Sequence, residues 1–179
     1  LILCLAASVG AAASCGSAAG GRDAVVAVGP GESIPARVTK VVDGDTIHAR
    51  PLTGGRDLKV RLLGIDAPEA SSTRYGRPSC GGVEATAALR AIAPKSAVIT
   101  LVTDPTQDTF DRYGRLLAYE MLSGGVTAEE RLLAAGWAKV YVYRKPFQRV
   151  EAFRRAAAEA VRARRGIYQH CGGRLQRPF

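Results

Sequence analysis

The 179-residue chain is 47% apolar and carries 25 Lys plus Arg against 16 Asp plus Glu, a formal net charge of +9. The apolar share excludes a disordered polyelectrolyte, and the length suits one domain with a real core and leaves little room for a second. The positive excess favours polyanionic partners (nucleic acid, anionic lipid or a cell-wall polymer), although charge speaks to association rather than fold and a merely basic soluble protein reads the same way.

In chain order, the opening stretch LILCLAASVGAAASCGSAAGG has no charged residue. Its apolar part is shorter than the roughly 20 residues of a spanning helix and reads as the apolar core of a secretory signal followed by small residues. No Met and no basic stretch precede it, which reads as a truncated start. The tetrapeptide Ala12 to Cys15, AASC, resembles a bacterial lipobox and makes Cys15 a candidate lipidation site and membrane tether. An ordinary small-residue cleavage site is the alternative. Either way the expectation is export, to the medium or to a lipid anchor at the cell surface. Residues 1–14 are read as the signal, 15–33 as a Gly/Ala/Ser/Pro-rich tether, 34–170 as the folded domain and 171–179 as a tail. Of the four cysteines, Cys4 and Cys15 belong to the leader and anchor, which leaves Cys80 and Cys171 as a disulfide pair in an oxidising compartment. Two His and no C-x-x-C spacing argue against zinc.

The folded part begins with ARVTKVV as a strand; Asp43-Gly44 turns the chain, TIHAR alternates as a second strand, and TGG leads into DLKVRLLGI as a third. From Gly82 to Ala93, the residues Ala85, Leu89 and Ile92 recur at helical spacing, and Pro94 stops the run. AVITLVT and RLLAYEM read as two more strands. TAEERLLAAG has Thr127 and Glu130 at capping-box spacing and closes at Gly136. A last helix is predicted from Gln148 to Arg165, with Val150, Phe153, Ala157 and Val161 as its apolar stripe and Glu151 paired with Arg155. Five short strands with a helix between the third and fourth predict an α+β fold, a five-stranded Greek-key barrel of the OB type flanked by three helices.

Two stretches concentrate charge. In VVDGDTI, Asp45 follows the turn; in RLLGIDAPE, a strand led by Arg61 ends in Asp66, Pro68 and Glu69. Neighbouring antiparallel strands would bring Asp45 near Asp66, two hard oxygen donors suited to Ca²⁺ or Mg²⁺. Pro68 biases Ala67 to an extended form and so sets its carbonyl direction, and Glu69 lies just past the metal as a candidate base for a water. Each piece alone has a plain reading: DGD as a turn, DAPE as a strand end or helix cap, DRYGR (111–115) as a polar hairpin with Arg115 solvated. Tyr141 and Tyr143 alternate on an extended segment, which fits core packing as well as a surface platform. Trp137, Tyr168, His48 and His170 are expected to be structural, and the arginines of the last helix a solvated face.

Together and in order, VVDGDTI, VRLLGIDAPE, DRYGRLLAY, AGWAKVYVY and a closing helix ending RGIY resemble the thermonuclease, or staphylococcal nuclease-like, family over about Ala36 to Tyr168. The resemblance implies an OB-fold barrel with three helices. It implies Ca²⁺-dependent hydrolysis of DNA and RNA to 3′-phosphate products, with one ion held by Asp45, Asp66 and the Ala67 carbonyl. By motif position, Glu69 would handle water, Arg61 and Arg115 would hold the phosphate, and Tyr113, Tyr141 and Tyr143 would contact nucleotide. The family often has Thr at the Ala67 position; a main-chain ligand tolerates the change. Residues 70–82, which carry Cys80, depart from the best-known members. Single strands are the preferred substrate on this reading, and a monomer the expected state. Two rivals stay open: a non-catalytic OB module that binds single strands, and a surface lipoprotein whose barrel binds an anionic polymer.

Overall fold

The computed structural model describes residues 27–71 and 78–175. Cys15, the signal and most of the tether lie outside the described residues. Five strands close a barrel in the order β1 (Ser33–Val41), β2 (Thr46–Pro51), β3 (Leu58–Leu62), β6 (Leu116–Met121), β5 (Val98–Val102), and β5 pairs back onto β1. All contacts are antiparallel except β3 with β6, which run parallel. The predicted OB-type barrel is therefore the observed one. Its interior is filled by alternate residues of each strand, among them Ala36, Val38, Ile47, Val60, Leu62 and Leu101, as the period-two pleat requires.

Three helices flank it: α1 (Gly82–Ile92), α2 (Ala128–Ala134) and α3 (Val150–Arg162). A single turn, α4 (Ile167–His170), follows. The predicted capping box is present. The Thr127 hydroxyl accepts from the Glu130 N–H and the Glu130 carboxylate accepts from the Thr127 N–H, which satisfies donors that the first turn leaves open. On α3 the inward stripe is Val150, Phe153 and Ala160, while Val161 is exposed. Glu151 pairs with Arg154 rather than Arg155, at 2.7 Å. Trp137 is half-buried and stacks on His170, and Phe147, Phe153 and Tyr119 form an aromatic cluster between barrel and helices.

The third predicted strand, DLKVRLLGI, is broken in two. At Gly64, with φ of 81°, the chain turns out of the barrel, and β4 (Ile65–Asp66) pairs instead with β7 (Lys139–Val140). Only glycine suits that turn. Its φ is left-handed, and a Cβ there would stand 2.5 Å from the Phe147 ring. The bend is what carries Asp66 and the residues after it off the barrel wall and onto its rim.

Both ends of the domain are tied down. Ahead of β1, the Glu32 N–H donates to the Thr103 hydroxyl, which itself donates to the Gly29 carbonyl. After α4, Cys171 is buried and bonded to Cys80 as expected, with Cα atoms 5.9 Å apart. Among the described residues no helix is long and apolar enough to cross a membrane.

Candidate active site

Strand register assembles the acid–arginine group. Thr46 of β2 faces Arg61 of β3, so Asp45, one residue earlier, lies beside the Arg61 side chain. The Arg61 Nη2 is 3.0 Å from Asp45 Oδ2 and 3.3 Å from Asp66 Oδ1, so one guanidinium nitrogen bridges both carboxylates. Arg61 Nη1 donates to the Leu62 carbonyl at 3.0 Å, which fixes the plane of the fork. Asp45 is held from every side. Its Oδ2 accepts from the Ala67 N–H at 2.8 Å, its Oδ1 from the Thr46 hydroxyl at 2.9 Å, and its own N–H donates to Asp43 Oδ1 at 3.0 Å. The Asp43-Gly44 turn is pressed against the rest of the site: a Cβ on Gly44 would come within 2.8 Å of the Cβ atoms of both Ala67 and Ala85.

Burial perturbs the acids here. Burial pushes the Asp45 carboxyl up to about 6; Arg61 opposes that rise and Asp43 adds to it. Glu69 stands exposed at the rim, yet loss of solvation pushes its carboxyl up, and Asp45 and Asp66 push it further against Arg61 and Arg115. Burial is thus the main cause of both rises, and the Asp45 and Asp66 carboxylates add to it at Glu69.

The donor set fits a hard cation. The donors are carboxylate oxygens, which suit Ca²⁺ or Mg²⁺ and not zinc. Asp45 has three acceptor positions occupied of the roughly four a carboxylate offers. Among the described residues no three His, Cys, Asp or Glu side chains are grouped to hold a metal alone. The remaining ligands would be main-chain carbonyls and waters, as is common for these ions. The Ala67 N–H is already spent on Asp45 Oδ2.

Arg115 approaches from the other side. The loop before β6 is organised by Asp111, whose Oδ1 accepts from the N–H groups of Tyr113 and Arg115, each at 2.9 Å. Its Oδ2 accepts from Arg115 Nε at 2.7 Å. Burial alone would raise the Asp111 carboxyl, but the Arg115 and Tyr113 donors hold it below the usual carboxylate range. With Nε taken, Arg115 keeps its two terminal nitrogens to offer, and its guanidinium lies 5.4 Å from the Tyr113 ring centre. Sequence reasoning singled out Tyr113 and Arg115 in DRYGR but not Asp111. The signal was its spacing, four residues ahead of the arginine in a tight loop.

A cleft of about 480 Å³ joins these parts, with Arg61, Asp66, Tyr113, Arg115, Tyr141 and Tyr143 on its walls. Asp45 lies behind Arg61, and neither it nor Ala67 nor Glu69 lines this cleft. The tyrosines are not core residues: Tyr113, Tyr141 and Tyr143 are 65%, 44% and 55% exposed. Tyr141 and Tyr143 stack with ring centres 6.5 Å apart. Arg112 and Arg144, also on the cleft wall, cover the Tyr113 and Tyr143 rings at 4.7 and 5.0 Å, a pairing that sequence reasoning missed.

A closed five-stranded barrel with three flanking helices and a basic, tyrosine-lined cleft at its rim defines an OB-fold protein of α+β class. The signature of the staphylococcal nuclease homologues matches residues 59–170, and the chain belongs to that family. Arg61, Asp66, Glu69, Arg115 and the three tyrosines fall inside the match; Asp45 lies ahead of it. An uncharacterized protein of Methanocaldococcus jannaschii is 30% identical over 152 residues, 74% of this chain and 70% of the relative. An uncharacterized endonuclease of Escherichia coli is 32% identical over 108 residues, 60% of this chain and 61% of the relative. Endonuclease YhcR of Bacillus subtilis is 29% identical over 156 residues, 79% of this chain but 12% of that protein. The chain therefore spans under two thirds of the length of both endonuclease-named relatives.

Proposed function

We propose that this chain is an exported nuclease, a Ca²⁺-dependent phosphodiesterase that hydrolyses DNA and RNA and leaves 3′-phosphate ends. The observation that carries the reading is the convergence of Asp45 and Asp66 on one nitrogen of Arg61, with Arg61 and Asp66 opening into the cleft that holds Arg115. The endonuclease names of two relatives agree with it.

The roles follow from the chemistry each side chain offers. A phosphodiester is anionic and repels a nucleophile. Asp45, Asp66 and the Ala67 carbonyl would hold a divalent ion, which would supply charge neutralisation at the phosphate. Arg61 and Arg115 present planar forks that match phosphate oxygens and gain strength as charge grows on them. Glu69 orients a water and takes its proton, and loss of solvation, which pushes its carboxyl up, makes it a stronger base. The exposed Tyr113, Tyr141 and Tyr143 give bases and sugars flat faces, which favours single strands. The protein acts as a monomer, with residues 34–170 as the nuclease domain, residues 15–33 as its tether and Cys15 as the site of an acyl anchor.

The test is digestion of single- and double-stranded DNA and of RNA with Ca²⁺, with Mg²⁺ and with chelator, followed by end-group analysis. Cleavage that needs Ca²⁺ and yields 3′-phosphates is the expected result. Binding without cleavage under every condition would leave a non-catalytic module instead. Mass analysis of the mature N-terminus decides between acylated Cys15 and simple secretion.

A further inference from the structure

Glu69 lies on a segment without regular secondary structure, just past β4, so something outside the barrel must hold it. The turn Ser79–Gly82 does so. The Ser79 N–H donates to the Glu69 carbonyl at 2.9 Å, and the Gly82 N–H donates to the Ser79 carbonyl at 3.0 Å. At Gly82 the two main chains are so close that a Cβ would stand 2.2 Å from the Glu69 carbonyl oxygen. A Cβ on Gly81 would lie 3.6 Å from the Pro68 ring on one side, and 3.0 Å from Ile167 and 3.5 Å from the Cys171 sulfur on the other. The turn is thus wedged between the Pro68–Glu69 segment and α4. Cys80, in the middle of it, is bonded to Cys171 at the end of α4. That end is itself anchored. The Cys171 N–H donates to the Ile167 carbonyl and the Ile167 N–H to the Gly136 carbonyl just after α2, each at 2.9 Å.

We propose that the Cys80–Cys171 disulfide is a positioning element for Glu69, and that opening it lowers turnover while leaving cation and substrate binding in place. The inference rests on the nuclease reading above. Its logic is spatial. Asp45, Asp66 and Arg61 are held by β2, β3 and β4 and by their own hydrogen bonds, which the disulfide does not touch. The Glu69 main chain is clasped by a turn whose backing is the disulfide. A dithiol reductant delivers two electrons and two protons, the S–S bond breaks, two thiols form, and the reductant closes into its own cyclic disulfide. The turn then loses its covalent tie to α4. Misplacing one reacting group by about an ångström costs up to the order of 10²-fold in rate. The enzyme would reach full turnover only where the bond persists, in an oxidising compartment.

The experiment compares the oxidised full-length protein with the same protein reduced by dithiothreitol, and with the double variant Cys80→Ser/Cys171→Ser, at a temperature where all are folded. The readouts are kcat, KM, Ca²⁺ affinity by calorimetry, and amide hydrogen exchange. Opening the bond is expected to lower kcat on the order of 10- to 10²-fold, with KM and Ca²⁺ affinity nearly unchanged. The Ser79 amide should lose protection while the amides of β1 to β3 keep theirs. In Glu69→Gln, opening the bond should cost little further, because both changes act through one group. Unchanged kcat with Ser79 still protected overturns the proposal. So does an equal fold-loss in Glu69→Gln, or loss of barrel protection alongside kcat, since either would make the bond a general support. No cleavage by the oxidised protein overturns the nuclease reading, and this inference with it.

Discussion

Asp45 and Arg61 stand 3.0 Å apart, Oδ2 to Nη2, at the meeting of β2 and β3. Asp66 shares the same guanidinium nitrogen at 3.3 Å, and the Asp45 carboxyl is still pushed up to about 6 by burial. Two buried or half-buried carboxylates held on one guanidinium nitrogen are the group that a hard cation would join.

Asp45→Asn should remove tight Ca²⁺ binding and most activity while the barrel stays folded, because the barrel core does not use this carboxylate. In the unsubstituted protein, Ca²⁺ affinity should weaken as the pH falls through about 6, since binding requires the Asp45 carboxylate and displaces its proton. Calorimetry in two buffers of different ionisation enthalpy measures both. Unaltered Ca²⁺ affinity in Asp45→Asn would remove Asp45 from the ligand set.

Arg115→Lys should lower kcat by about 10² to 10³, the cost of removing one preorganised donor at the reacting centre, because an ammonium cannot reproduce the fork. Asp111→Asn should act in the same direction by loosening Arg115 Nε, held now at 2.7 Å. The two losses should not add, because they act through one side chain. Single-turnover kinetics on the two variants and on the double variant tests this; additive losses would mean that Asp111 has a separate role.

Gly44→Val should destabilise the protein by about 1–3 kcal/mol, the usual cost of forcing volume into a packed site. The room is not there: Ala67 and Ala85 each come within 2.8 Å of the new Cβ. Because the same turn delivers Asp45, Ca²⁺ affinity should fall with stability. Denaturant titration with and without Ca²⁺ measures both at once, and a stable variant with weakened metal binding would separate the two effects.

Stability should fall as the pH rises from about 4.5 to about 8. Glu120 of β6 and Glu129 of α2 are fully buried neighbours, with the Glu120 N–H donating to Glu129 Oε1 at 3.2 Å. Three of their four carboxyl oxygens have no protein partner. Burial pushes Glu120 up to about 7; burial, with Glu120 adding to it, pushes Glu129 up to about 8. Both folded values lie above the ordinary 4.5, so the folded state holds more protons than the unfolded chain between these limits. Stability is therefore full below about 4.5 and is lost as the pH rises through about 7 and 8, by up to about 1.4 kcal/mol per pH unit for each group. Urea midpoints across that range should slope downward, and Glu120→Leu should flatten the slope and raise the alkaline end. A flat profile in the unsubstituted protein would contradict it.

Substrate affinity should drop steeply with salt. A chain of formal charge +9 that neutralises phosphates releases counterions, with a slope of about 0.7 log units per log salt for each phosphate on single strands and about 0.9 on duplex. KM measured across a salt series at saturating Ca²⁺ reads the slope directly; a KM indifferent to salt would point away from phosphate contacts.

What the sequence by itself determined is local. Turn residues at Asp43-Gly44, β-branched runs, the capping box of Thr127 and Glu130, and the breaker at Pro94 act over a few residues, and so the barrel strands and helices fall close to where they were predicted. The identities of Asp45, Arg61, Asp66, Glu69 and Arg115 were equally legible, because the motifs that carry them are short. Tertiary structure alone decided what those residues do to one another. DLKVRLLGI reads as one strand, yet Phe147, far along the chain, caps Gly64 and lets Asp66 leave the barrel to pair with Lys139. Tyr141 and Tyr143 suit core and surface equally by alternation, and both stand exposed on the irregular segment after β7. Glu120 continues the inward alternation of Leu116 and Ala118, but that it would meet Glu129 depended on where α2 docks. Propensity and pattern are set by neighbours in sequence, whereas burial, charge balance and the reach of a guanidinium are set by neighbours in space, and only closure of the barrel brings those together.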